Sequence, residues 1–129
     1  MATTTAQITL TSSDLTTDAL SLTTTATLTD TASSTGVTQT SGLSRKITTS
    51  NSEYTLIAEA DYSDDKSHKV YMKHVGTTAS DRVDVKIASQ HVGRLYAGDW
   101  TFIPWSGGTD IKLTPNVSTS VTVEYMVII

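Results

Sequence analysis

The chain has 129 residues, no cysteine, and thirteen acidic against nine basic side chains, for a formal net charge of −4. That length suits one domain around one core; the missing thiols exclude disulfides, thiolate metal sites and a cysteine nucleophile; and the acidic balance lacks the clustered Lys and Arg that direct nucleic-acid binding requires. No basic start leads into an apolar run and no eighteen apolar residues follow one another, so the expectation is folding in the cytosol of the producing cell, without secretion signal or membrane span.

Threonine makes up about one residue in five, and charged residues only 17%. Its β-branched side chain suits a pleated surface and keeps that surface wet, so strands are expected nearly everywhere. The first candidate spans residues 7–11. Residues 20–28 follow, with Leu20, Leu22, Ala26 and Leu28 expected on one inward side. Between them, residues 13–19 hold at most one capped turn. Short strands are expected at 37–40 and 43–49, and the stretch 54–62 offers Tyr54, Leu56, Ala58, Ala60 and Tyr62 as one long inward row.

Past a strand at 69–75, the segment RVDVKI shows the clearest period-two alternation. Val83, Val85 and Ile87 point to a core, while Arg82, Asp84 and Lys86 point to water. Strands at 100–105 and 111–114 precede the closing strand, in which Val121, Val123, Tyr125, Val127 and Ile129 share a face opposite Thr122, Glu124, Met126 and Ile128. Turn chemistry at Thr35-Gly36, Asp64-Asp65, Gly76, Gly98-Asp99, Ser106-Gly107-Gly108 and Pro115-Asn116 separates these segments. No window repeats apolar positions at helical spacing. The expected fold is all-β: an antiparallel β-sandwich or jelly-roll-like domain of about eight to ten short strands over residues 1–129.

The first forty or so residues carry charge only at Asp14, Asp18 and Asp30. Sheet edges are ordinarily blunted by Lys, Pro or inward charge, so residues 1–12 read as an extended arm or edge strand. Either it pairs with a neighbouring copy, or the rest of the domain covers it. The interface candidates are Ile8 and Leu10 in this segment, Trp105, and the terminal Ile128 and Ile129, which make the chain end apolar on both faces.

Catalytic and metal chemistry finds little footing. His68, His74 and His91 have neither i, i+4 spacing nor an HExxH or HxH pattern, and read as surface or strand-end residues. The acidic loop from Asp61 to Asp65 lacks the glycine and the bidentate glutamate of a calcium loop and reads as a solvated hairpin tip. No GxSxG elbow and no phosphate-binding loop occurs. No cofactor is expected. In LYAGDWTFIPW, alternation sets Trp100 and Phe102 opposite Ile103 and Trp105, so one tryptophan packs in the core while the other faces outward, as a subunit contact or a platform for sugar rings.

The last part of the chain is similar to the closing segment of small virion proteins of tailed bacteriophages. There a Gly-Asp turn leads into an aromatic-Pro strand, a short polar strand and a terminal V-x-V-E-Y strand; here the matching pieces are Ala97-Gly98-Asp99, Phe102-Ile103-Pro104, residues 110–113 and residues 121–125. The resemblance covers less than a third of the chain. It implies a non-enzymatic virion subunit that decorates a capsid or builds a tail. The implied partners are its own copies, in a symmetric oligomer such as a trimer, and the major capsid or tail protein. The alternative it leaves is a tail or fibre component that binds host-surface glycan.

Overall fold

A computed structural model of the chain describes residues 3–15, 18–29, 36–37 and 39–129. The chain falls into two compact units, residues 1–38 and residues 39–129. The turns expected over 13–19 and at 35–36, and the strand expected at 37–40, lie partly outside the described residues.

The first unit is a β-hairpin. β1 (Thr5–Ser12) pairs antiparallel with β2 (Leu20–Thr27) along their full eight-residue lengths, from Thr5 opposite Thr27 to Ser12 opposite Leu20. Period-two geometry then sorts the side chains. Ile8, Leu10, Leu20 and Leu22 stand on one face with Ala6 and Ala26, and Thr5, Thr9, Thr11, Thr23, Thr25 and Thr27 line the other. The inward row expected of Leu20, Leu22 and Ala26 is a correction, because every residue of β2 is exposed. Of that row only Leu28, just past the strand, is buried.

The second unit is an eight-stranded sandwich. One sheet, here sheet I, has the order β3 (Ser44–Thr48), β10 (Val121–Ile128), β5 (His68–His74), β8 (Trp100–Trp105). Sheet II has the order β4 (Tyr54–Ile57), β9 (Ile111–Asn116), β6 (Arg82–Ile87), β7 (Gln90–Tyr96). Every pairing is antiparallel. The pairs β3–β10, β4–β9, β5–β8 and β6–β7 are nested one inside the next, as in a single long hairpin folded over on itself. Joined through β10–β5 and β9–β6, that ribbon is a jelly roll.

Alternation builds the core between the sheets. Val70 and Met72 of β5, Val121, Val123 and Val127 of β10, Val83 and Val85 of β6, and Ile111 and Leu113 of β9 are all 3% exposed or less. The faces expected for RVDVKI and for the closing strand are those observed. The long row expected over 54–62 breaks, because β4 bulges between Thr55 and Ile57 and the chain then enters a 3-10 turn at Glu59–Asp61. The bulge puts Ile57, where regular pairing would put Leu56, opposite Ile111 and into the core.

β7 was not apparent from the sequence, which offered no strand between RVDVKI and residue 100. The β6–β7 connection is a two-residue loop, Ala88-Ser89, with φ of 53° and 63°. Positive φ at both central positions is the geometry of a type I′ hairpin turn, which matches the twist of its strands but ordinarily uses Asn-Gly. A second irregularity follows at once: the register slips between Val85 and Lys86, leaving Val92 as the extra residue of β7.

Candidate interaction surfaces

The inner face of β5 explains the histidines. His68 and His74 share parity with Val70 and Met72, and both are 1% exposed, correcting the expectation of surface or strand-end positions. His68 donates from Nε2 to the Ser63 carbonyl at 3.0 Å. Its ring sits among aromatics, 5.7 Å from Tyr62 edge-on and 5.7 Å from Trp105. Neither ring nitrogen of His74 has a hydrogen-bond partner among the described residues. His91 alone is exposed and lies 3.7 Å from Asp84. Among the described residues no group of three or more His, Asp or Glu is placed to hold a metal ion, and no helix is long and apolar enough to cross a membrane.

Trp105 is the second correction. It is 3% exposed, donates from its indole nitrogen to the Thr109 carbonyl at 2.9 Å, and meets Tyr62 edge-on at 5.3 Å. A side chain closed in this way has no surface for a partner or a sugar. The half-exposed indole is Trp100, at 51%. Alternation had separated the two tryptophans correctly. Which of them faced the core depended on β8 pairing with β5 so that Trp105 lies beside inward-facing His68.

The two outer faces of the sandwich differ in character. On sheet II, Asp84 lies between Arg82, Arg94 and His91, with the Arg94 contact at 2.6 Å, and Lys86 meets Glu53 at 2.8 Å. Burial works to raise the Asp84 pKa, but the hydrogen bond and charge of Arg94 outweigh it and hold the carboxyl below its ordinary range. The hydrogen bond from Lys86 likewise lowers Glu53. Exposed pairs of this kind contribute little to stability, because solvent screens them. They make a solvated surface.

On sheet I the outward rows are apolar at their centre. Met126, Tyr71 and Phe102 lie side by side across β10, β5 and β8, and Ile128, Lys69 and Pro104 form the next row. Above them run Arg45, Glu124, Lys73 and Trp100. Glu124 accepts from Arg45 at 3.1 Å and from the Tyr71 hydroxyl at 3.2 Å. Burial, followed by the Glu124 contact, raises the Tyr71 pKa. Ile47 on β3 is 65% exposed.

A groove of about 220 Å³ opens at the edge where β7 and β8 end their sheets. Val85, Val92, Leu95, Trp100, Thr101 and Ile103 are among the residues that line it.

Of the residues expected at interfaces, Leu10 is exposed at 43% and Ile8 is half-buried beside it on the hairpin. Ile128 lies on the outer face of sheet I, whereas Ile129 packs against the core and exchanges backbone hydrogen bonds with Gln39. Leu20 and Leu22, 37% and 46% exposed, share the hairpin face with Leu10 and were not among the residues expected there. Their place follows only from the Leu10–Leu22 register, which the sequence does not display.

Compared with known proteins, the chain matches no family model and no curated protein sequence.

Proposed function

We propose that this chain is a non-enzymatic virion structural subunit that decorates a capsid, acting through self-association and contact with the shell. The observation that carries the reading is the β1–β2 hairpin, whose second strand is exposed throughout and whose leucines form an apolar face. A two-stranded hairpin is marginal in water and needs further strands or a packing surface. Its strands bear no Lys, Pro or other charge to blunt their edges. Such a hairpin is suited to completion by another polypeptide.

Two further observations support the reading. The segment from Gly93 to Ile129 resembles the closing part of tailed-phage virion proteins, and jelly rolls recur in viral capsid and lectin domains. A fold alone does not assign function, so the weight rests on the exposed surfaces. The test is co-sedimentation of the purified protein with capsids that lack it. Native protein is expected to pellet with the shells and Leu10→Lys/Leu22→Lys to stay in the supernatant; native protein that never pellets removes the reading.

A second reading, a tail or fibre subunit that binds host-surface glycan, is favoured by Trp100 alone. A half-exposed indole lining a largely apolar groove can stack on a sugar ring. Glycan binding abolished by Trp100→Ala would select this reading over the first.

A further inference from the structure

The hairpin carries only one sign of charge. Residues 1–38 contain Asp14, Asp18 and Asp30 and no basic side chain. Asp14 lies just beyond the end of β1, bonded to Ser12 at 2.7 Å, and Asp18 lies just before β2, so acidic groups sit at the tip of an apolar surface.

The outer face of sheet I has the complementary character. Its apolar centre of Met126, Tyr71 and Phe102 is bordered by Arg45, Lys69 and Lys73, with Glu124 as the one acid among its strands' outward residues. The protein as a whole is acidic, at −4. The outer face of sheet II is also net basic, with Arg82, Lys86, Arg94 and Lys112 against Asp84 and Glu53, so what sets sheet I apart is a basic border, its Arg45 paired with Glu124, around an apolar centre. Dimensions agree as well. Eight-residue strands extend about 26 Å, which matches β10, the eight-residue strand running through this sheet.

We infer that the outer face of sheet I receives the β1–β2 hairpin of a second copy of this chain. Leu10, Leu20 and Leu22 of one copy lie on Tyr71 and Phe102 of the next, while Asp14 and Asp18 reach Lys73. Because one copy offers its hairpin and the other its sheet, the contact is heterologous. It closes into a ring if the rotation per copy divides a full turn and otherwise propagates. The inference rests on the self-association in the proposed function and names the surfaces that perform it.

The absence of cysteine makes a clean test possible. Thr24→Cys places one thiol on the apolar face of the hairpin, opposite Ile8, and Thr122→Cys places one on the outer face of sheet I, opposite Ile47. Each single-cysteine protein is made separately, the two are mixed, and the mixture is oxidised at a concentration where the native protein's mass has been measured. The expected result is a mixed disulfide dimer, formed far more than either homodimer and reduced at least tenfold when Lys73→Glu, which turns the contact with Asp14 and Asp18 repulsive, is added to the Thr122→Cys protein. A native oligomer that yields mainly Thr24–Thr24 or Thr122–Thr122 dimers overturns this contact and leaves self-association standing. A native protein that is monomeric in the same measurement overturns both.

Discussion

His74 stands on the inner face of β5, 1% exposed, with both ring nitrogens unpartnered among the described residues. A buried polar group without a hydrogen bond costs free energy that an apolar group of similar size does not. Gly76 is fitted to the ring: a Cβ there would lie 2.5 Å from the His74 Cε1 atom, so the two positions are coupled. His74→Leu is expected to raise stability by about 1 kcal/mol, since it removes unsatisfied polarity while keeping most of the volume. Denaturant titration of both proteins checks this, and a destabilised variant would show that the imidazole has a partner it needs. Tyr54 is a milder case of the same kind. Its hydroxyl is buried without a partner, and burial, followed by the nearby Tyr125, pushes its pKa up to about 12.

At the level of elements, what could be read in the sequence followed from strict alternation. RVDVKI and the first half of the closing strand, from Val121 to Tyr125, announce both of their faces, because apolar and polar residues change places at every step. β2 misled for the same physical reason. Its leucines alternate with serine and threonine as a core strand's would, but Leu22 meets Leu10 on a hairpin face that stays exposed. Periodicity reports that two faces differ and does not report which is covered. β7 escaped notice because its turn is made from Ala88 and Ser89 instead of Asn-Gly, and because the Val92 bulge interrupts its alternation. L-residues at positive φ are strained, at about 1 kcal/mol or more each. Ala88→Asn/Ser89→Gly is therefore expected to raise the thermal midpoint by several degrees for a gain of about 1–2 kcal/mol. An unchanged or lower midpoint would mean that the turn is not of this type.

Across the whole molecule, the all-β class and the sandwich were legible from threonine content, turn spacing and the absence of helical periodicity. The jelly-roll order was not, because nested pairing of β3 with β10 or β4 with β9 joins segments far apart in the chain. Nor was the contrast between the outer faces. Charges on β6 could be read in place, but the apolar row Met126–Tyr71–Phe102 exists only once three strands from different parts of the sequence lie side by side. Trp105 and Trp100 exchanged roles for the same reason, their environments being set by a partner strand some thirty residues away.

These observations describe a sandwich with one solvated face, one partly apolar face and a hairpin whose leucines are exposed. The claim that joins them is that the hairpin drives self-association. Sedimentation-equilibrium mass measurement of the native protein beside Leu10→Lys/Leu22→Lys tests it most directly. The account predicts an oligomer for the native chain and a monomer with an unchanged β-sheet circular dichroism spectrum for the variant. A native chain that sediments as a monomer, or a variant that retains the full oligomer, would contradict it.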